Sequence, residues 1–120
     1  MNFVAKYASC EKAHQLFYDY VKFILTRTNR YTKKKYKDDP AIMSWQIGNE
    51  PRAFSKEQLP AFENWLGEAS KLIRSLDKNH LISIGSEGKW GCEGELNCWE
   101  RICADKNVDY CNIHLWPYNW

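Results

Sequence analysis

Tyr36-Lys37-Asp38-Asp39-Pro40-Ala41-Ile42-Met43-Ser44-Trp45-Gln46-Ile47-Gly48-Asn49-Glu50-Pro51-Arg52 runs from a charged approach, past a proline, through an apolar stretch and out into a polar cluster. Ala41 to Gly48 has the length of a strand and almost no charge, which predicts a strand buried on both faces. Glu50 follows it, with an amide donor before it (Asn49) and an aromatic wall behind it (Trp45). A carboxyl placed in this way at a strand end is a candidate general acid/base. On the residues alone, the competing reading is a solvated loop glutamate ahead of a turn at Pro51.

On the N-terminal side, His14 to Thr28 sets Phe17, Val21, Ile24 and Leu25 at helical spacing, with Lys and Arg gathering towards its end. Asn29 to Pro40 carries no apolar period and is expected to be an exposed connection. On the C-terminal side, Ser55 before Lys56-Glu57-Gln58 resembles an N-cap, and Phe62, Trp65, Leu66, Ala69, Leu72 and Ile73 continue at helical spacing. Leu81 to Gly85 is predicted to be a second strand. Leu96 to Cys103 is predicted to be a helix with Leu96, Trp99, Ile102 and Cys103 on one face, and Asp109 to Leu115 a third strand. The order α-β-α-β-α-β is that of parallel βαβ units. Polar or aromatic clusters close each strand: 49–52, 86–90 and 114–120. Because parallel sheets carry their chemistry at the C-terminal strand ends, the three clusters are expected to converge.

The chain has 120 residues, whereas a complete (β/α)₈ barrel needs about 200 or more. Its 44% hydrophobic content, with only 6 Gly and 4 Pro, excludes a disordered or collagen-like chain. Seventeen Lys+Arg against 15 Asp+Glu give a formal charge of +2, too near balance to call for a nucleic-acid or membrane-surface partner. Lys33-Lys34-Lys35-Tyr36-Lys37 does place an aromatic among basic residues, but Asp38-Asp39 follows at once. It is expected to be a solvated loop at the entry to the strand, with no nucleic acid bound. No apolar run reaches the ~18 residues of a membrane span, and Met1 to Tyr7 lacks the apolar core of a signal peptide. No strand precedes the first helix and no helix follows the third strand, so the chain is expected to be a piece of a larger α/β protein.

The 36–52 stretch closely resembles the fourth-strand signature of glycoside hydrolase family 5, in particular that of its endo-β-1,4-mannanases. Asn49-Glu50-Pro51-Arg52 after a D-D-P-x-I-x-x-W lead-in carries the resemblance, and Gly85-Ser86-Glu87-Gly88 and His114-Leu115-Trp116-Pro117 follow in the family's order. The resemblance implies an α/β fold, a fragment of a (β/α)₈ TIM barrel from about helix 3 to strand 6. Residues 1–120 would then be one partial catalytic domain, truncated at both ends. It further implies that the full-length parent is a retaining endo-β-1,4-mannosidase of mannan-type polysaccharides or oligosaccharides. That parent would be secreted or held in the cell envelope, and monomeric, with neither cofactor nor metal.

Carried over residue by residue, the resemblance makes Glu50 the general acid/base and Asn49 the contact to the sugar 2-hydroxyl. Arg52 and Glu87 match positions lining the leaving-group side of the cleft, and His114 matches a histidine that orients the sugar and the catalytic pair. Two residues after that histidine the family often has Tyr, whereas Trp116 stands here. Its N–H and the Tyr118 hydroxyl are the two candidate substitutes. The retaining mechanism needs a second carboxyl about 5–5.5 Å from the first. The family places it after a seventh strand, so the chain alone is expected to be inactive.

Trp90, Trp116 and Trp120 fall in strand-end loops and are candidate stacking platforms for sugar rings, Trp90 and Trp116 being the substrate-binding choices. Trp45, Trp65 and Trp99 sit on apolar runs and are expected to pack in the core. His14 and His80 are expected at the surface without a role. Five Cys at irregular spacing leave at least one thiol unpaired within the chain, and Cys92 and Cys98 are candidates to pair in an oxidising compartment. The alternative functions are another family 5 β-glycanase such as a cellulase, and a non-catalytic carbohydrate-binding fragment that needs the Trp residues but not Glu50.

Overall fold

A computed structural model describes residues 4–117. Helix α1 spans Glu11–Thr26, opening with an acid that complements the helix dipole and burying Val21 and Leu25. Strand β1 is Ser44–Gln46, helix α2 is Leu59–Leu76, strand β2 is Leu81–Ser83 and helix α3 is Leu96–Cys103. Helix α2 carries Pro60 in its first turn, where a missing N–H costs nothing, and buries Phe62, Trp65, Leu66, Ala69, Ser70 and Ile73 along one face. Ser55 does not cap it. That residue opens a separate 3₁₀ turn, Lys56–Gln58, without a side-chain cap bond.

β1 and β2 pair in parallel, with Ser44 opposite Leu81, Trp45 opposite Ile82 and Gln46 opposite Ser83. Helix α2 makes the crossover between them, so this is the βαβ unit that the sequence predicts. Its apolar face meets Ile82 and Ile84 from β2 and its exit, and Cys98 and Ile102 from α3, in one core with Ile47, Val21 and Leu25. Each fully buried Leu, Ile or Phe there contributes about 1.5–3 kcal/mol.

Expectations about the strands and the cysteines are also corrected. The strand expected over 41–48 is only three residues long and only half-buried, with Met43 72% exposed. The reason is that β1 has a partner on one edge alone among the described residues. The third strand, expected over 109–115, forms no ladder. Side chains replace it: Asp109 Oδ2 accepts the Ile82 N–H at 2.7 Å, Asn112 Oδ1 accepts the Gly85 N–H at 3.2 Å, and one backbone bond, Asp109 N to Ile82 O at 2.9 Å, remains. Among the cysteines the bond joins Cys103 to Cys111, tying the end of α3 to this segment, while Cys92 and Cys98 are buried free thiols and Cys10 is an exposed one.

Neither His14 nor His80 is an idle surface residue. His14 is half-buried, its Nε2 lies 2.8 Å from the Tyr7 carbonyl, and its ring stacks on Trp65 at 5.9 Å. His80 is buried below β1. Its Nδ1 lies 2.6 Å from Asp77 Oδ2 and its Nε2 3.0 Å from the Asp39 carbonyl, and the Trp45 indole donates to the same Asp77 oxygen at 2.7 Å. Both ring nitrogens face acceptors, the geometry in which an imidazolium would have both of its N–H groups bonded. Burial pushes its pKa down, but the Asp77 carboxylate and the Asp39 carbonyl outweigh burial and hold it above the ordinary histidine value. Burial likewise pushes Asp77 up, and the bonds from Trp45, His80 and two backbone N–H groups bring it below the usual carboxylate range. Lys33 to Lys35 are exposed, and an isolated bridge between Thr28 and Lys35 closes them into a turn, whereas Tyr36 and Lys37 are half-buried and Lys37 Nζ donates to the Leu76 carbonyl at 3.2 Å.

Candidate active site

The parallel pairing does not stop where β1 stops. Ile47, Gly48 and Glu50 donate in turn to the carbonyls of Ser83, Ile84 and Gly85, at 3.1, 3.3 and 2.9 Å. The last of these bonds holds Glu50 in the left-handed region, at φ 52°. A non-glycine residue persists there only when its surroundings over-determine it, at a cost of about 1–3 kcal/mol. Gly85 makes the approach possible. With its φ of +79°, a Cβ there would lie 1.8 Å from the Gly48 carbonyl oxygen.

The turn presents the Glu50 carboxyl, 31% exposed, to His114, whose Nδ1 lies 2.8 Å from Oε1. Asn49 is exposed and makes no side-chain hydrogen bond among the described residues, so its amide is open to a ligand. Asn49, Glu50 and Arg52 line a cleft of about 370 Å³, whose apolar lining includes Tyr7, Phe17, Phe54 and Trp65.

Arg52 and Glu87 form a two-pronged ion pair, Nη2 to Oε2 at 2.6 Å and Nε to Oε1. The Glu87 side chain is only 10% exposed against 43% for Arg52, so Glu87 serves as the buried anchor and Arg52 as the face. The bond to Glu87 raises the Arg52 pKa further and keeps the guanidinium charged. The loop bearing Arg52 is clamped to the loop after β2: Ala53 donates to the Gly91 carbonyl at 3.0 Å, and a Cβ on Gly91 would sit 2.7 Å from the Pro51 carbonyl oxygen.

Two of the sequence-predicted groupings therefore meet in space, Glu50 with His114 and Arg52 with Glu87; Glu50, Arg52 and Glu87 follow the paired segments of β1 and β2, and His114 comes from the ladder-free segment after α3. Trp90 is 47% exposed with Lys89 Nζ 5.3 Å from its ring centroid, and Trp116 is 61% exposed. Tyr118 and Trp120 lie outside the described residues. Trp65 sits in the core as expected but also borders the cleft. Sequence reasoning missed Asn112. Its signal was position: two residues before His114 in an extended segment, it shares the same face. Its Oδ1 accepts from Ser83 Oγ at 2.6 Å, and its Nδ2 donates to the Ser86 carbonyl at 3.2 Å and lies 3.3 Å from His114 Nε2.

Residues 1–120 match the family described as glycoside hydrolase family 5, β-mannosidase-like. The chain belongs to glycoside hydrolase family 5. This family 5 chain is 38% identical over 109 residues to mannan endo-1,4-beta-mannosidase 4 of Solanum lycopersicum, covering 83% of this chain and 27% of that protein. It is 33% identical over 117 residues to mannan endo-1,4-beta-mannosidase 2 of Oryza sativa subsp. japonica, covering 84% and 26%. Among solved structures, the endo-1,4-beta-mannanase of Rhizomucor miehei superposes with a TM-score of 0.82 at 30% identity, covering 96% of this chain and 37% of that one. The endo-beta-1,4-mannanase of Thermotoga petrophila gives 0.85 at 28% identity, covering 97% and 28%. The family 5 chain spans about a quarter of the length of the curated relatives it matches. Its βαβ unit is thus a partial α/β piece of the fold these mannanases share.

Proposed function

We propose that the protein carrying this chain is a retaining endo-β-1,4-mannosidase acting on internal bonds of mannan-type polysaccharides. Residues 1–120 would supply helix 3 to strand 6 of its (β/α)₈ catalytic domain. One observation carries the reading. In an Asn-Glu-Pro-Arg context, Glu50 is held in a left-handed turn at the C-terminal end of a parallel strand, and a histidine from a later segment meets its carboxyl at 2.8 Å. Three-residue strands and a short cleft would not place a general acid. What supports that role is the over-determined backbone at Glu50 together with the partner on Oε1.

In this reading Glu50 protonates the oxygen of the departing sugar and then takes a proton from the water that releases the glycosyl-enzyme. A second carboxyl, from a segment after a further strand, attacks the anomeric carbon. The unpartnered Asn49 amide meets the 2-hydroxyl. The Arg52 guanidinium, fixed by Glu87, presents N–H donors on the leaving-group side. Trp90 and Trp116 offer exposed ring faces on which pyranose C–H groups stack. No cofactor or metal enters. The Cys103–Cys111 bond supports an oxidising, extracytoplasmic location.

The test is reducing-end release by the full-length protein from mannan, glucomannan, galactomannan and cellulose, with the product anomer followed by NMR. Release from the mannans with the β-anomer formed first is the expected result. Release from cellulose alone would move the protein to another branch of the family, and binding without release would leave it a carbohydrate-binding protein.

A further inference from the structure

We infer that Asn112 is a positioning residue that sets the tautomer of His114 and thereby decides which oxygen of Glu50 is left to meet substrate. The inference rests on the reading of Glu50 as the acid/base, but its first test does not depend on activity.

The Asn112 amide has one permitted orientation. Oδ1 receives the Gly85 N–H at 3.2 Å and the Ser83 hydroxyl at 2.6 Å, while Nδ2 donates to the Ser86 carbonyl at 3.2 Å. Turning the amide over would set N–H against N–H at Gly85 and oxygen against oxygen at Ser86. The fixed backbone of the loop after β2 therefore dictates that an N–H group lies against His114 Nε2, at 3.3 Å. An amide nitrogen only donates, so Nε2 is the acceptor. A neutral imidazole carries its one proton on the other nitrogen, so Nδ1–H donates to Glu50 Oε1 at 2.8 Å.

The relay thus runs from the Gly85 and Ser86 backbone through Asn112 and His114 to Glu50. The Gly85 carbonyl also accepts the Glu50 N–H at 2.9 Å, so one glycine holds that residue by its main chain and, through two side chains, by its carboxyl. With Oε1 occupied by a donor, Oε2 is the oxygen that carries the proton to the leaving group. An isolated His114 would exchange freely between tautomers, and in the other one Nδ1 would be a lone pair facing the lone pairs of Oε1.

The experiment uses the full-length protein labelled with ¹⁵N-histidine. The ring-nitrogen shifts of His114, identified by their loss in His114→Gln, report the tautomer at neutral pH. Wild type is expected to show protonated Nδ1 and unprotonated Nε2; protonated Nε2 would overturn the inference. In Asn112→Asp a carboxylate replaces the donor while the acceptor for Gly85 and Ser83 is kept, and protonation of Nε2 is expected. With it, kcat on mannan should fall about tenfold or more and KM stay within about twofold, because the acid is misplaced rather than the sugar released. An unchanged ring signature in that variant would also overturn the inference. If Asn112→Asp does not fold, Asn112→Ala takes its place, and there the single-tautomer signature should give way to a mixture. A protein with the expected wild-type and variant signatures but no loss of activity in Glu50→Gln would refute the acid/base reading and leave the relay standing.

Discussion

Glu50 has two restraints that arise from different parts of the chain, a backbone bond to Gly85 and a side-chain bond to His114. Removing the carboxylic acid without disturbing either shape, as in Glu50→Gln of the full-length protein, should lower turnover on mannan by about 10²–10⁴-fold. An activated aryl mannoside, whose leaving group needs little protonation, should lose far less in the glycosylation step. Pre-steady-state kinetics on the two substrates make the comparison, and equal losses would count against an acid role. Gly85→Ala tests the restraint from the other side. A Cβ 1.8 Å from the Gly48 carbonyl, at φ +79°, forces the two strand ends apart. We expect a loss of about 2 kcal/mol or more, read by denaturant unfolding, together with loss of the Glu50 turn.

β1 is fastened below by charge as well as by its ladder. Trp45, in the middle of the strand, donates to Asp77 after α2, and Asp77 holds His80 before β2. His80 has a raised folded-state pKa, so its contribution is complete below about 6.5, the unfolded histidine value, and disappears as pH rises through the higher folded value. Asp77 has a lowered one, so its contribution is complete above about 3.9 and disappears as pH falls through the lower folded value. Thermal unfolding of the full-length protein should therefore show a contribution from the bonded Trp45, Asp77 and His80 side chains that is greatest between about pH 4 and 6.5. His80→Gln should flatten the decline on the alkaline side, and an unchanged slope there would show that the imidazolium is not formed.

Residues 1–120 taken alone leave apolar surface in view. Leu16, Tyr20 and Phe23 on α1 are 66, 62 and 57% exposed, Met43 is 72% exposed before β1, and Leu115 is 66% exposed beside His114. Surface of this kind marks a face built to be covered, and β1 has an unpaired edge among the described residues, a template for association. A polypeptide of these 120 residues is expected to self-associate and to unfold without a cooperative transition. Gel filtration and calorimetry beside the full-length protein would show it, and a monomer with a sharp transition would refute it. Mannan hydrolysis by that polypeptide would require a second carboxyl within it, with Glu87 the first to replace.

The sequence by itself determined the helices, the parallel crossover and the address of Glu50. Amphipathic spacing in α2 and α3 and an apolar run ending in Asn-Glu-Pro-Arg are local patterns, and local patterns survive without knowledge of neighbours. The tertiary structure alone decided what happens where distant segments meet. The segment over 109–115 has the composition of a strand, yet the Asp109 and Asn112 side chains satisfy the edge of β2 in place of a ladder. His80 has the surroundings of a surface turn in sequence, but 41 residues away the Asp39 carbonyl completes its burial. Cys103 and Cys111 pair because the segment after α3 folds back, which spacing does not encode. Asn112 carries no motif, and its place beside His114 follows from the backbone of Gly85 and Ser86, which only the packed sheet brings within reach.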